Sequence, residues 1–470
     1  MKSFTIKSKF DLPLSCLFQW HLRDGVFERL NPPWRPLYII SKKGSIDNEG
    51  IVIVKMPIIK DFGIKWKIKH KYYIDNKSFT DVQVKGFFHH WEHQHNFLDG
   101  MTKSILEDNI KYSLPLGQIG NIFSSIVDNN LTHIFKYRHR ITKIDNDAHL
   151  KFKNPKINSI LISGSSGFIG SALTPFLTTG GYDVTRLLRN KLPFEYDIAK
   201  RIYLNRDKSL GNIDFNFDAV INLNGESIFG LWSKDKKQKI LDSRVKFTQS
   251  LCKNLAKMDK PPRVLISASA IGIYGNDNYR TFNDIDENYE NDKKNNRNDF
   301  LSQICSQWEE ATDIAKSAGI RVVNLRTGIV LGASGGIVKL LMNMNRLKIN
   351  MLMDSNTWLS WIALDDLLRL ILFCTSNNNI YGPVNAVSPN HVKYDDFTKI
   401  LGAIWKTRIN FKMSRKIIKK LLGEMSQYTI FADNKVIPSK LFLNNFDFIF
   451  NDLESALRHT LGKFNSPEIL

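Results

Sequence analysis

The sequence predicts two folding units: an α+β domain at the N-terminus and, after it, an α/β domain with a doubly wound parallel sheet and a small C-terminal lobe. Three observations support this prediction. The chain has 470 residues, more than one ordinary hydrophobic core accommodates. Residues 1–150 are rich in aromatic and lysine-containing segments of strand character. Over residues 157–188, by contrast, a strand, a glycine-rich turn, a helix and a second strand follow one another.

The composition is that of a globular protein without a nucleic-acid-binding tail. The net charge of +20 is spread along the whole chain rather than gathered in one helix or tail, so it does not predict a nucleic-acid partner. The four cysteines lie far apart, which indicates free thiols in a reducing compartment. No apolar run reaches the roughly 20 residues that span a membrane. We therefore expect a cytoplasmic protein without a membrane span.

The N-terminal domain contains three segments with strand character, which are residues 51–56, 64–74 and 79–88. Asp75, Asn76 and Lys77 mark a turn between the second and the third, so we predict an antiparallel sheet. Residues 121–135 have the pattern of a long helix. A polar linker, with Asp145-Asn146-Asp147 and Asn154-Pro155, is predicted to follow it. These observations assign residues 1–150 to the first domain.

Four histidines, His89, His90, His93 and His95, fall close together in this domain. His89, His93 and His95 would share one face of a strand, which raises a metal site as one hypothesis. Glu92 is the one carboxylate at a complementary spacing, and it points to the opposite face. We therefore favour a tract that lines or flanks a ligand cavity, and we predict no metal site.

The second domain opens with a pattern typical of nucleotide binding. Residues 160–163 read as a buried strand, 171–179 as a helix and 182–188 as a second strand. Gly164, Gly167 and Gly170 separate the first strand from the helix. Glycines at this spacing let the backbone turn tightly and approach a pyrophosphate, while the helix N-terminus faces the anion. The sequence therefore predicts a Rossmann-type dinucleotide site.

The end of the second strand distinguishes between the two nicotinamide cofactors. NAD enzymes usually place Asp or Glu there to bind the ribose 2′-hydroxyl, whereas this chain has Arg189. A guanidinium suits a 2′-phosphate, so we predict NADP(H) as the cofactor. A surface arginine without this role is the alternative.

Further motifs follow in a fixed order along the second domain. They are residues 220–226 (Val-Ile-Asn-Leu-Asn-Gly-Glu), 232–233 (Trp-Ser), 242–245 (Asp-Ser-Arg-Val), 265–275 (Leu-Ile-Ser-Ala-Ser-Ala-Ile-Gly-Ile-Tyr-Gly), 323–332 (Val-Asn-Leu-Arg-Thr-Gly-Ile-Val-Leu-Gly), 358–362 (Trp-Leu-Ser-Trp-Ile) and 382–386 (Gly-Pro-Val-Asn-Ala). From residue 157 to about 462 the chain resembles the epimerase-family subgroup of the extended short-chain dehydrogenase/reductases, which carries a characteristic C-terminal segment. The resemblance implies a nucleotide domain over residues 157–395 and a C-terminal extension over 396–464 that completes the substrate lobe.

The resemblance also implies which residues meet the cofactor. Those around the pyrophosphate would be Gly164, Ser165, Gly167, Phe168, Ile169 and Gly170. Leu223 and Asn224 would pass beside the adenosine, where Asn224 replaces the alanine usual in relatives. Arg189 would meet the 2′-phosphate, and Arg244 is a second phosphate-contact candidate, with an exposed helix arginine as the alternative.

The catalytic pair of the superfamily, Tyr-x-x-x-Lys, is absent. Residues 299–309 read Asp-Phe-Leu-Ser-Gln-Ile-Cys-Ser-Gln-Trp-Glu, and neither Phe300 nor Leu301 can exchange a proton. Ser269 lies near the position of the hydroxyl that polarises the substrate, and Tyr274 and Cys305 are the other catalytic candidates, although Cys305 also fits a packed helix position. Asp365 and Asp366 are interpreted as helix N-terminal caps.

The N-terminal segment resembles the helix-grip superfamily of START-like or SRPBCC domains, in which a curved sheet and a long helix enclose an apolar cavity. The resemblance rests on residues 27–34 (Phe-Glu-Arg-Leu-Asn-Pro-Pro-Trp), 114–117 (Leu-Pro-Leu-Gly) and 135–139 (Phe-Lys-Tyr-Arg-His). It implies binding of an apolar or aromatic molecule rather than catalysis.

The sequence thus predicts an NADP(H)-binding epimerase or reductase that acts on a small molecule and is fused to an apolar-ligand-binding domain. The absent Tyr-Lys pair leaves two alternatives open. One is a catalytically inactive sensor of NADP(H) and ligand. The other is a partner-binding module in which the nucleotide is a structural ligand.

Overall fold

The computed structural model describes residues 1–59, 62–100, 103–115, 117, 120, 122–191, 196–205, 216–275, 280–286, 299–345, 348–353, 356–429 and 431–464. Leu116 of the N-terminal motif lies outside these residues. No helix within the described ranges is long and apolar enough to cross a membrane.

The N-terminal part of the chain forms a seven-stranded antiparallel sheet in the order β1-β7-β6-β5-β4-β3-β2. Its strands are β1 (Lys2–Phe10), β2 (Tyr38–Lys43), β3 (Ile51–Ile59), β4 (Phe62–Ile74), β5 (Ser78–Lys85), β6 (His90–Asp99) and β7 (Ser104–Ser113). Its helices are α1 (Leu14–Leu22), α2 (Val26–Leu30) and α3 (Ser124–Lys151), with a 3₁₀ turn at Ile46–Asn48. The three predicted strands and the turn at residues 75–77 are confirmed, except that the third strand ends at Lys85 rather than at residue 88.

Helix α3 is much longer than the sequence predicted. It spans Ser124–Lys151 and so ends well beyond residue 135, because no proline or glycine interrupts it and buried apolar positions recur along it. Residue 121, the predicted start, lies outside the described residues. The predicted linker at residues 145–147 is therefore wrong. Asp145 is fully buried, and its carboxylate pairs with Arg29 at 2.6 Å. Because Arg29 of α2 pairs with it, the charged Asp145 side chain can be part of the core.

The remainder of the chain contains strands and helices in alternation. The strands are β8 (Ser159–Ser163), β9 (Asp183–Leu188), β10 (Lys200–Tyr203), β11 (Ala219–Asn222), β12 (Val264–Ala270), β13 (Thr281–Phe282), β14 (Arg321–Thr327), β15 (Ile329–Leu331), β16 (Ile349–Met353), β17 (Trp358–Leu359), β18 (Trp361–Ala363), β19 (Gly382–Ala386), β20 (Val392–Lys393), β21 (Ile409–Met413) and β22 (Lys435–Val436). The helices are α4 (Phe168–Thr179), α5 (Lys234–Ala256), α6 (Phe300–Glu310), α7 (Asp313–Ser317), α8 (Gly336–Asn345), α9 (Leu364–Ser376), α10 (Tyr394–Trp405), α11 (Arg415–Leu422), α12 (Met425–Thr429), α13 (Ser439–Leu443) and α14 (Leu453–Leu461), with a 3₁₀ turn at Ile271–Tyr274.

Seven of these strands form a parallel sheet in the order β10-β9-β8-β11-β12-β14-β19. Alternate residues of β8 enter two separate cores: Ile160 and Ile162 pack with α4 and α9, and Leu161 packs with α5 and α7. Helices on both faces and this strand order confirm the predicted doubly wound, Rossmann-type sheet. The short strands β13, β15 to β18 and β20 to β22 pair in twos and form the C-terminal lobe.

The two parts of the chain share buried contacts. Ala148, in the last turns of α3, and Phe152, just after it, belong to the same core as β8 and α9. Arg29 also reaches Asp365 at 2.6 Å, and the other oxygen of Asp365 lies 2.8 Å from His459 Nε2. A boundary placed at residues 150–157 therefore does not separate two independent cores.

The two aspartates at the start of α9 do not cap it. The N-cap residue is Ala363, which makes no side-chain capping bond. Asp365 pairs with Arg29 and His459, whereas Asp366 accepts hydrogen bonds from the backbone N–H groups of Ile449 and Phe450. The cap interpretation is therefore wrong, because the first-turn side chains point to the N-terminal domain and to the C-terminal segment.

Candidate functional site

The glycine-rich turn after β8 has the geometry of an anion cradle. Gly164 has φ of +72°, and a Cβ there would lie 2.5 Å from the Leu223 carbonyl oxygen. Gly167 is the N-cap residue of α4 and donates its N–H to the Gly164 oxygen at 3.0 Å. It has no side chain that could accept from the first N–H groups of the helix. Those groups are therefore free to face an anion such as a pyrophosphate.

Three more residues of this turn fix its shape. A Cβ at Gly170 would lie 2.4 Å from the Gly164 oxygen, so only glycine lets α4 approach the turn this closely. The ring of Phe168 lies against glycines of the C-terminal lobe, and a Cβ at Gly335 would lie 2.4 Å from it. Ile169 packs against the core beneath. Phe168 thus connects the turn to the lobe.

Two arginines, one within β9 and one just after it, differ in their partners and exposure. Arg186 is engaged on both sides: it pairs with Asp197 at 2.7 Å and donates to the buried Ser165 hydroxyl at 3.3 Å. Arg189 lies exposed at the strand end, and its Nη2 donates to Asn224 Oδ1 at 2.6 Å. Arg189 is therefore the more exposed of the two arginines, and it lies at the carboxyl end of β9.

The turn after β11 lies beside the glycine turn, since a Cβ built on Gly164 would lie 2.5 Å from the Leu223 oxygen. Leu223 follows β11 directly, and Asn224 donates to the Ser243 carbonyl at 3.1 Å. Arg244 donates to the Glu226 carbonyl at 3.0 Å and stacks over Trp308, 5.1 Å from the ring centroid. These contacts hold the Arg244 guanidinium beside the turn. Its contact with a phosphate stays a prediction.

The three catalytic candidates are all buried. Ser269 donates to Glu309 at 2.8 Å, and Tyr274 donates to Asn385 at 2.7 Å. Burial raises the pKa of the Tyr274 hydroxyl to about 12, despite the neighbouring Arg326 guanidinium. Burial, with the Glu309 carboxylate, also raises the pKa of the Cys305 thiol to about 12. Cys305 is therefore a protonated packing residue at neutral pH rather than a nucleophile.

An ion pair that the sequence analysis missed connects these candidates. Arg326 donates to both oxygens of Glu309, each at 2.8 Å, and to the Tyr274 hydroxyl at 3.1 Å. Arg326 is only 1% exposed. A signal was present in the sequence, because an arginine between apolar residues of a buried strand requires a carboxylate partner.

The histidines that the sequence placed on one face do not all lie together in the structure. His93 and His95 are buried on the inward face of β6, whereas His89 is exposed and precedes the strand. The carboxylates beside them come from neighbouring strands: Asp81 of β5 lies opposite His93, and Asp108 of β7 lies opposite His95. Sequence spacing within β6 did not reveal these partners. Both histidines line a cavity of about 140 Å³ in the N-terminal domain.

Comparison with known proteins agrees with this geometry. The family model for the NAD dependent epimerase/dehydratase family matches residues 160–386, and a domain of unknown function, DUF1731, matches residues 414–460. The chain is 32% identical over 305 residues to epimerase family protein YfhF of Bacillus subtilis, covering 65% of this chain and 98% of that protein. It is 33% identical over 304 residues to epimerase family protein Mb2239 of Mycobacterium bovis, covering 63% and 96%.

Two solved structures are similar. The nucleoside-diphosphate sugar epimerase from Corynebacterium glutamicum has a TM-score of 0.78 and 28% identity, covering 99% of this chain and 91% of that chain. Human epimerase family protein SDR39U1 (isoform 2), solved with NADPH, has a TM-score of 0.57 and 25% identity, covering 64% of this chain and 99% of that chain.

Fold, turn and comparisons together define a Rossmann-type protein of the epimerase class within the short-chain dehydrogenase/reductases. This chain belongs to the NAD dependent epimerase/dehydratase family and carries its DUF1731 segment at the C-terminus.

Proposed function

We propose that the protein binds NADP(H) and acts as an epimerase- or reductase-like protein on a small molecule. One observation carries the cofactor preference: an arginine, not a carboxylate, directly follows β9, and its side chain donates a hydrogen bond to Asn224. The relative solved with NADPH supports the same preference. A relative described as a nucleoside-diphosphate sugar epimerase supports a small-molecule substrate.

The residues fit the cofactor in the following way. The turn residues Gly164 to Gly170, with Ser165 between them, would surround the pyrophosphate, because Gly167 caps α4 without a side chain that could accept from the first N–H groups of the helix. Leu223 and Asn224 would lie beside the adenosine. Arg189 would bind the 2′-phosphate, with Arg244 as the second phosphate contact. The bound cofactor would supply a hydride donor or acceptor at its nicotinamide ring.

Titration of the whole protein with adenosine fragments tests this proposal without any substrate. We expect 2′-phospho-ADP-ribose to bind about tenfold or more tightly than ADP-ribose, because only the former offers a phosphate to Arg189. Equal affinities, or a preference for ADP-ribose, would contradict the NADP(H) assignment.

Turnover requires a proton donor, and here the structure supports a second candidate function. With Cys305 a packing residue, Ser269 and Tyr274 remain as the proposed catalytic residues. Ser269 already donates to Glu309, however, and the pKa of Tyr274 is raised to about 12. These contacts favour a sensor that binds NADP(H) without turnover. A crystal structure with NADPH separates the two: an open, polar-lined cleft beside the nicotinamide supports catalysis, and a side chain filling that space supports sensing.

We also propose that residues 1–150 form a helix-grip, SRPBCC-like domain that binds a small apolar or aromatic molecule. The seven-stranded sheet, the 28-residue helix α3 and the mostly apolar cavity support this proposal. A cavity of about 140 Å³ is close to one that holds benzene. Tyr196, from the domain over residues 157–395, lines the same cavity, so a ligand there would contact both domains.

Uptake of indole, followed by calorimetry, tests the binding role of this domain. We expect saturable binding that Val52→Trp abolishes, because Val52 lines the cavity and a larger ring would fill it. Binding that this substitution leaves unchanged would place the indole elsewhere.

Two further proposals concern the rest of the chain and its location. Residues 396–464 would complete the substrate lobe. The four unpaired cysteines support a cytoplasmic location.

A further inference from the structure

The polar end of the N-terminal cavity contains a compact group of imidazoles and carboxylates. The cavity wall is apolar for the most part, but His70, Asp81, His93 and His95 line one side of it. His93 and His95 are 3% and 8% exposed, so these groups are shielded from bulk water. Neither the proposed cofactor site nor the proposed catalytic residues use them.

Strand register brings these residues together. His70 of β4 lies opposite Asp81 of β5, and Asp81 lies opposite His93 of β6. His95 follows His93 on the same face of β6, because side chains two positions apart share a face. The sheet backbone therefore holds all four side chains on rigid strands rather than on loops.

The spacing of the donor atoms suits one metal ion. One carboxylate oxygen of Asp81 and one ring nitrogen each of His93 and His95 lie within 4.8 Å of one another. Asp81 Oδ2 is 3.5 Å from His95 Nε2. Two ligands bound tetrahedrally at zinc distances of about 2.0–2.1 Å are roughly 3.3 Å apart. Small side-chain movements would therefore complete the coordination.

A second layer of contacts orients these donors. Asp108 lies outside the cavity lining; its Oδ1 is 2.9 Å from His93 Nε2 and 2.7 Å from His95 Nδ1. Its other oxygen is 2.7 Å from His139 Nε2. On the cavity side, His70 Nδ1 lies 2.6 Å from Asp81 Oδ1. A carboxylate behind each ligating imidazole is the arrangement that typically fixes the ring and its tautomer in metal sites.

The charges favour a cation as well. Among the residues that the structure describes, Asp81 and Asp108 form their ion pairs with imidazoles, and His95 faces a carboxylate at each ring nitrogen. A buried pair of carboxylates requires positive charge between them, which either imidazolium protons or a bound metal ion can supply. Arg138 lines the same cavity, and within the described part of the chain its Nε has no hydrogen-bond partner.

We propose that Asp81, His93 and His95 bind a divalent transition-metal ion, of the Zn²⁺ or Fe²⁺ type, whose open coordination side faces the cavity. Two imidazoles and one carboxylate match the ligand preferences of these ions and leave positions for water or for a ligand. A ligand that binds the metal through an oxygen atom would share the cavity with the Arg138 side chain. The inference does not depend on the proposed cofactor preference.

The test uses the full chain without a histidine tag, stripped with a chelator and titrated with Zn²⁺ by calorimetry. We expect one Zn²⁺ per chain. Asp81→Asn and His95→Ala should each weaken binding by about 100-fold or more, since each removes a ligand. The exposed His89→Ala is the matched control and should leave the affinity unchanged. Absence of Zn²⁺ binding, or equal affinities in wild type, Asp81→Asn and His95→Ala, would overturn the proposal.

A measurement on the unaltered chain keeps the test independent of folding defects in the variants. X-ray absorption of the zinc-loaded wild-type protein should show two imidazole ligands together with oxygen donors at about 2.0–2.1 Å. A zinc environment with oxygen ligands alone would overturn the site, because it would mean that the ion sits elsewhere on the surface.

Discussion

Nη2 of Arg189 donates a 2.6 Å hydrogen bond to Oδ1 of Asn224, joining the end of β9 to the turn after β11. The Asn224 amide in turn donates to the Ser243 carbonyl, so the acceptor itself is fixed in place. A guanidinium held in this way loses less conformational freedom when it binds a phosphate.

Asn224→Ala should therefore weaken NADPH more than NADH. The expected loss for NADPH is about 1 kcal/mol, or roughly fivefold in Kd, because the variant loses orientation but keeps the charge of Arg189. Calorimetric titration with each cofactor measures the difference. Losses of equal size for NADPH and NADH would show that Asn224 acts on the part that the two cofactors share.

Valine substitutions at two glycines of the turn should have different effects. Gly167→Val should keep the free energy of unfolding within about 1 kcal/mol, because φ is −75° and a Cβ there meets the Gly164 oxygen at 3.2 Å, which a small shift relieves. It should abolish cofactor binding, because the added side chain would occupy the space proposed for the pyrophosphate. Gly164→Val should lower the free energy of unfolding by about 2 kcal/mol or more, because φ is +72° and the Leu223 carbonyl blocks the side chain.

Urea denaturation and NADPH titration of both glycine variants give the comparison. A folded Gly167→Val variant with unchanged NADPH affinity would show that the pyrophosphate does not lie against this turn.

The ion pair between Glu309 and Arg326 should contribute to stability rather than to proton transfer. Glu309→Gln leaves the buried guanidinium without its charge partner, so the free energy of unfolding should fall by about 3 kcal/mol. Glu310→Gln, the exposed neighbour on α6, should change it by less than about 0.5 kcal/mol. Similar urea midpoints for the two variants would mean that the pair is already solvated in the folded protein.

These sites show which parts of the molecule were predictable from sequence. The strand, turn and helix around Gly164 depend on contacts a few residues apart, so spacing alone indicated them. Asp81 and Asp108 reach the histidines of β6 through the register of other strands, and Asp145 meets Arg29 across more than a hundred residues. Such pairings require the folded sheet, because no local pattern encodes which distant side chain lies opposite.

The Glu28 carboxyl should make the stability depend on pH. Its Oε2 is shielded and has no hydrogen-bond partner among the residues that the structure describes, and burial raises the pKa of this carboxyl to about 7. The folded state then retains a proton that the unfolded state loses above its ordinary pKa of 4.5. The contribution of this group to stability is therefore complete below about pH 4.5 and declines as the pH rises to about 7.

Comparison of wild type with Glu28→Gln isolates this effect. Between about pH 5 and pH 8, wild type should lose up to about 3 kcal/mol of unfolding free energy relative to Glu28→Gln, and less to the extent that water reaches the side chain. Urea denaturation at several pH values gives both curves. Parallel curves would mean that Glu28 titrates alike in the folded and unfolded states.

The affinities of NADPH and NADH for wild type, Arg189→Ala and the nearby exposed control Lys191→Ala test the proposed function most directly. Arg189→Ala should weaken NADPH by about 1.5–3 kcal/mol and leave NADH nearly unchanged, because only NADPH loses a charged hydrogen bond to its 2′-phosphate. Lys191→Ala should leave the ratio of the two affinities unaltered. Equal losses for NADPH and NADH in Arg189→Ala, or tighter binding of NADH than NADPH by wild type, would contradict the account.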